Sequence, residues 1–366
     1  MYIQTFKNTT GGQFSMLPLI QNPTQLTHLY LAALHINDDP NNINLNDDNP
    51  NSTVWNTMWN EAAQVQAQGV KVMFMMGGAA AGSYPRLCGG SKGTAVNMTY
   101  YMPLYYTIKY HNIDGLNLDI EEQVVYQCPL ALLQQLNKDF GPNFILTMSP
   151  VASELQPSGS GLGGFSYKTL DSKATASSKP AGKLINWFNA QFYNGWGDAS
   201  STSGYTSIIK NGYAANRVAM GILDSPNDGG SGFYPIATYQ KTIKSLRSTY
   251  GTSFGDVVGW EYWDAGIKDN DTYPYQWTQT IGTASFNKRD VEDEEEDAEL
   301  VERQIPSLTP AGDPTSYGPS PWPALASKLV GAGVLQIAAV RALNISNGDL
   351  HGALGVLGLP TNLLGG

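Results

Sequence analysis

Residues Asp114 to Glu121 read Asp-Gly-Leu-Asn-Leu-Asp-Ile-Glu, two carboxylates and an amide spaced two apart. Leu116, Leu118 and Ile120 alternate with Asn117, Asp119 and Glu121, the period of a β-strand whose faces meet different surroundings. Same-face neighbours on a strand lie about 6.5–7 Å apart, so Asp119 and Glu121 can both reach one small ligand. Carboxylates on an inner face are costly unless hydrogen-bonded or at work, and the pair points to acid–base or sugar chemistry. The bland alternative is a surface strand whose polar side faces water.

Such a strand needs a scaffold. Apolar runs at Tyr2–Phe6, Leu26–Ile36, Val70–Met76, Ile113–Glu121, Phe144–Met148, Leu184–Tyr193, Arg217–Leu223 and Val257–Tyr262 are expected strands. Helical patterns intervene, as at Thr57–Gln68, Met102–Tyr110, Leu130–Lys138 and Tyr239–Thr249. The alternation predicts an α/β fold, a (β/α)8 TIM barrel, with a doubly wound open sheet as the alternative. No G-x-G-x-x-G follows the first strand, so no dinucleotide cofactor is expected. In a barrel, Glu121 falls at the carboxyl end of the fourth strand, where catalytic groups sit. The Gly77-Gly78 turn after the third strand reads as loop chemistry or as ligand contact.

The formal net charge of −10 argues against nucleic acid and anionic membranes as partners. It is local: Asp290 to Glu302 holds nine of the 31 acidic residues, leaving 22 acids against 21 bases. The 20 Tyr and 8 Trp offer platforms for sugar rings as well as core. No apolar run suits a membrane span, and the start of the chain lacks the charge and apolar pattern of a secretory signal. Two cysteines, Cys88 and Cys128, make no disulfide framework. Together these favour a cytoplasmic protein, with a secreted one as the alternative that the Asn-x-Ser/Thr sites at Asn8, Asn51, Asn97, Asn270 and Asn344 support. The four histidines are scattered, and neither a metal site nor a Ser/His/Asp constellation is expected.

The chain divides into residues 1–285, an acidic and Pro-rich linker at 286–320, and a three-helix module at 321–364 with helices expected at Leu325–Val330, Gln336–Asn344 and Asp349–Leu357. An amphipathic tail is the other reading of the last segment.

The Asp114–Glu121 segment resembles the D-G-x-D-x-D-x-E signature of glycoside hydrolase family 18, which includes chitinases and endo-β-N-acetylglucosaminidases. Val72–Gly78 looks like that family's third strand, Gln191-Phe192-Tyr193-Asn194 like its sixth-strand motif, and Gly259-Trp260 like its eighth. Leu31–Asn37, Gln191–Gly197 and Trp260–Asp264 look most like fungal endo-β-N-acetylglucosaminidases, which cut the chitobiose core of N-glycans. The resemblance implies substrate-assisted catalysis on glycans or glycoproteins containing N-acetylglucosamine. Glu121 is then the general acid, Asp119 orients the acetamide, and Tyr193 hydrogen-bonds its oxygen. Trp260 floors the sugar site, while Gly77, Gly78, Asn117, Gln191 and Asn194 contact or surround the substrate. Asn117 stands where the family has aspartate, so the expectation is an amide that bonds Asp119 without taking its proton and leaves Asp119 ionised. A chitinase, or a carbohydrate-binding barrel without activity, are the alternatives. Residues 339–357 resemble the second and third helices of a ubiquitin-associated domain, which implies ubiquitin as a partner, although Gly331–Val334 departs from that family's loop.

Overall fold

The computed structural model describes residues 1–7, 11–90, 93–269, 271 and 273–286. The expected linker and ubiquitin-associated module lie outside the described residues from 287 onward. Eight parallel strands form a nearly closed (β/α)8 barrel in sequence order. They are β1 (Tyr2–Ile3), β2 (His28–Ile36), β3 (Lys71–Gly78), β4 (Gly115–Ile120), β5 (Ile145–Met148), β6 (Trp187–Gln191), β7 (Val218–Leu223) and β8 (Val257–Trp260). Each is followed by a helix: α1 (Pro18–Gln21), α2 (Asn56–Ala67), α3 (Met98–Tyr110), α4 (Gln127–Phe140), α5 (Tyr167–Lys173), α6 (Ser203–Lys210), α7 (Ile236–Tyr250) and α8 (Pro274–Ser285). A short strand, Ile43–Leu45, pairs antiparallel with β2. No described helix is long and apolar enough to cross a membrane.

Helix α4 shows why these segments take these forms. Its buried residues Cys128, Leu132 and Leu136 recur every four positions, the spacing of one helical face. The helix stops at Gly141, whose φ of 81° suits glycine. On β4, Leu116, Leu118 and Ile120 are at most 1% exposed, and Asn117 and Asp119 are buried too. The surface-strand alternative is therefore excluded, because both faces of β4 are covered.

Inside the barrel, Tyr2, Tyr30, Ala32, Met73, Met75, Ala219 and Val258 form an apolar cluster. Toward the carboxyl ends the interior turns polar. The register that pairs Asn117 with Thr147 lets the Thr147 hydroxyl donate to Asn117 Oδ1 at 2.7 Å. The seam between β1 and β8 is bridged by Glu261, which accepts from the backbone N–H groups of Gln4 (2.7 Å) and Thr5 (2.9 Å) and from the Thr5 hydroxyl (2.7 Å). The Tyr2 ring meets Trp260 edge-on at 5.6 Å across the same seam.

The two cysteines of the chain form one covalent link. Cys88 and Cys128 are bonded to each other, Cα to Cα 5.2 Å. The sequence count was right that two cysteines make no framework, yet a single pair can staple neighbours 40 residues apart, and the fold brings the segment after β3 against the start of α4.

Candidate active site

Asp119 lies near the end of β4 and Glu121 just beyond it, at the carboxyl face of the barrel. A single amide organises them. Gln191, the last residue of β6, directs Nε2 to Asp119 Oδ1 (3.1 Å), Glu121 Oε1 (3.2 Å) and the Ser149 carbonyl (2.9 Å). Two N–H hydrogens serve three acceptors, so the hydrogens are shared and both carboxylates are drawn to one point.

The neighbouring Glu122 stabilises the loop opposite by accepting from the N–H groups of Gly82 (2.7 Å) and Tyr84 (3.0 Å). The backbone of β3 presses close here. A Cβ on Gly77 would stand 2.1 Å from the Asp119 carbonyl, and Gly77 and Gly78 have φ of 98° and 88°. Only glycine permits that approach. The pair ends the strand instead of forming a turn after it, and its role is to admit Asp119.

Burial raises the Asp119 pKa well above the usual carboxylate range, with the charges of Glu121 and then Glu154 adding to it and the Gln191 hydrogen bond opposing it. This corrects the expectation for Asn117. Asn117 Nδ2 donates to Ser149 Oγ at 2.7 Å, and its Oδ1 accepts from Thr147 and, at 3.4 Å, from Asn189. With no exposed surface and its amide bonded to Ser149, Thr147 and Asn189, Asn117 supports the site from below. Losing a carboxylate at 117 does not leave Asp119 easily ionised, because low dielectric and two nearby carboxylates suffice to favour the neutral form.

Tyr193 follows β6 and is 9% exposed. Burial and then the charge of Asp119 push its pKa well up, so it remains an O–H donor. Asp119, Gln191, Tyr193 and Trp260 line one narrow pocket with Tyr2, Met75, Ser149, Asn189, Gly221 and Val258. Glu121 joins it through the shared Gln191 amide. Ser149, Asn189 and Tyr2 were missed from sequence. Asn189, Gln191 and Tyr193 repeat with period two, a signal that could have placed Asn189 on the inner face. The Tyr2 hydroxyl bonds Ser149 Oγ (2.7 Å) and accepts from Asn189 Nδ2 (2.8 Å), completing the polar layer under the carboxylates.

The Asn194 side chain joins two loops beside the site. Its Oδ1 accepts from the N–H groups of Gly230 (2.8 Å) and Ser231 (3.3 Å), tying the β6 loop to the β7 loop. A larger cavity opens at the amino ends of the strands, lined by His28, Trp187, Phe254 and Trp277. It contains none of the carboxylates discussed, and barrels place chemistry at the opposite face.

Asp119 on β4 and Glu121 just after it are two residues apart and share one donor, so both carboxyls meet at one point of the rim. The arrangement gathers two carboxyls, a phenolic O–H and an indole ring around one pocket.

Comparison with known proteins agrees with this geometry. Among solved structures, a chitinase from Aspergillus fumigatus is 37% identical, with 78% of this chain and 98% of that one covered and a TM-score of 0.68. A fungal endo-β-N-acetylglucosaminidase of family 18 is 36% identical, with 78% and 96% covered and a TM-score of 0.70. Chitinase 2 of Rhizopus oligosporus is 25% identical over 229 residues, and that match spans 57% of this chain but 37% of the relative's length. The profile described as Glycosyl hydrolases family 18 matches residues 1–291, and the chain belongs to that family of glycosidases.

Proposed function

We propose that the chain is an endo-β-N-acetylglucosaminidase that cleaves the β-1,4 bond of the chitobiose core of N-glycans with help from the substrate. The observation that carries the mechanism is the Gln191 amide joining Asp119 and Glu121 beside Tyr193 and Trp260. Glu121 gives its proton to the bridging oxygen as the acetamido oxygen of the same sugar attacks the anomeric carbon. The C–O bond breaks and a cyclic oxazolinium forms. Asp119 accepts the acetamide N–H and so orients the group, and the Tyr193 hydroxyl donates to the acetamide oxygen. Glu121, now a carboxylate, takes a proton from water, which opens the ring with retention.

Support for a branched glycan over a linear polymer comes from the carboxyl ends of β1 to β3. A groove there is lined by Lys7, His35, Asn37, Asn44, Asp47 and Arg86. Its aromatic residues, Phe6 and Trp55, are 3% and 4% exposed and offer no stacking face. Hydroxyl-rich hexoses suit such amide and charged groups, whereas polymeric N-acetylglucosamine favours aromatic platforms. The second reading is a chitinase, favoured by the Aspergillus relative's comparable identity. Incubation with a high-mannose glycoprotein and with chitin oligomers tests both. Released glycan bearing one reducing-end N-acetylglucosamine supports the first reading, and short oligomers alone support the second. Binding without products returns the carbohydrate-binding barrel.

The Cys88–Cys128 bond supports secretion over the cytoplasm, where thiols stay reduced. Recovery from culture medium with the bond intact checks this. Recovery only from lysate with free thiols restores the cytoplasmic reading and, with it, ubiquitin as a partner of 321–364, to be tested on ubiquitin resin with and without that segment.

A further inference from the structure

The loops after β7 and β8 bring together carboxyls that the mechanism does not use. Asp224 is fully buried, and neither of its side-chain oxygens has a hydrogen-bond partner. Its carboxyl lies against β8, where a Cβ on Gly259 would approach Asp224 Oδ1 to 2.3 Å. Asp264 is 8% exposed. Its Oδ2 accepts from the Ser225 hydroxyl and from Asn227 Nδ2, each at 3.0 Å, while its Oδ1 is buried without a partner. Asp228 stands within hydrogen-bonding reach of Asp264, and its Oδ2 accepts from the Glu261 N–H at 3.1 Å. Buried acceptors facing another carboxyl, with no donor between them, lack one thing, a proton.

These loops also hold the sugar site. The Asp224 N–H donates to the Trp260 carbonyl at 2.8 Å, and the Gly266 N–H donates to the Asp224 carbonyl at 3.0 Å. Gly232, at the end of the β7 loop, packs so tightly on Tyr193 that a Cβ there would lie 2.8 Å from the Tyr193 Cα. The loop's N–H groups at 230 and 231 are the donors that fix Asn194.

We propose that Asp228 and Asp264 share a proton and, with a neutral Asp224, act as positioning residues that keep the Trp260 floor and the Tyr193 hydroxyl in register only while the cluster is protonated. The inference rests on the reading of Trp260 and Tyr193 given above. Other groups facing the cluster are Glu261 just after β8, the Tyr193 hydroxyl after β6, the Tyr239 hydroxyl of α7 with Asp269, and the Met1 amine before β1. The Met1 amine is itself lowered to about 5 by burial. Among the described residues no three acids, histidines or cysteines are arranged to hold a metal ion. Burial, reinforced by Asp264, raises the Asp228 pKa to about 8. Because the folded value exceeds the unfolded one, its contribution to stability is greatest in acid and is lost as pH rises through about 8.

The test reads binding and unfolding, not hydrolysis, so its failure is separable from that of the proposed activity. Thermal midpoints are measured from pH 5 to 9.5 for the wild type, Asp228→Asn and Asp228→Ala. Affinity for N,N′-diacetylchitobiose is measured over the same range in a Glu121→Gln background, with and without Asp228→Asn. In the background alone, affinity should weaken roughly tenfold between pH 7 and 9, as one carboxyl of this pKa ionises. Asparagine at 228 still donates to Asp264 and cannot ionise, so affinity should then change less than about twofold and the alkaline fall in melting temperature should flatten. Asp228→Ala should bind weakly at every pH. Should Asp228→Asn fail to fold, Asp264→Asn is read the same way. Unchanged pH slopes in the asparagine variants overturn the proposal, as does calcium that restores alkaline stability and a chelator that removes it.

Discussion

Two groups of acids, each built around a buried aspartate, sit at the same rim of one barrel and are treated differently. On the β4 side, Asp119 and Glu121 share the Gln191 amide, and Glu122 caps two backbone N–H groups. On the β7–β8 side, Asp224 has no donor at all and Asp264 has donors for one oxygen only. Burial is the first cause of the raised pKa of Asp119 and of Asp224 alike. What separates them is the donor. An amide aimed at two carboxyls leaves each able to carry charge when a cation develops beside it, which a catalytic pair must do. Without donors, the only relief for a buried acid is to keep or share a proton, which suits a brace.

The largest expected break in this comparison is Glu121→Gln. It keeps the Gln191 neighbourhood but removes the transferable proton, and kcat should fall by about 10²–10⁴-fold with the fold unchanged, read by glycan release alongside thermal unfolding. Next is Tyr193→Phe, which deletes one donor to the acetamide. A loss of about 10²-fold in kcat with little change in KM is expected if that bond strengthens in the transition state, and an equal rise in KM alone would contradict it.

The two sides also differ in how they are braced, since the Cys88–Cys128 bond stands on the β4 side. Closing a loop of 40 residues stabilises by about 4 kcal/mol in the chain-entropy account. Reduction should lower the melting temperature by several degrees while leaving the pH slope assigned to Asp228 intact. A change in that slope on reduction would merge the two braces into one.

The smallest effect expected is that of Asn117→Asp. It adds a third carboxyl near Asp119, which disfavours ionisation of Asp119 further. The acid limb of the kcat profile should move to higher pH by about one unit, and an unchanged profile would show that position 117 does not couple to the pair.

Much of this was legible beforehand for physical reasons. All eight strands were foreseen within a few residues because each carries a short apolar run bounded by polar segments. Asp119 and Glu121 were visible because strand periodicity places alternate residues on one face. The partners of Asn117 were not foreseen because periodicity gives a face but not a partner: its bonds go to Thr147 on β5, Ser149 just after it, and Asn189 on β6. For Asn194 and Gly77-Gly78 the fold adds contacts that spacing does not reveal, since one ties two loops and the other admits a neighbouring backbone.

By itself, the sequence determined the order of strands and helices, the strand that carries the acid, and the family resemblance, because these depend on residue types at short separations. Tertiary structure alone decided that Gln191 joins the two carboxyls, that Cys88 reaches Cys128, and that Asp224, Asp228 and Asp264 meet without donors. Those outcomes depend on register and closure of the barrel, which bring together side chains up to 70 or more positions apart and set the solvent exposure that governs their charge.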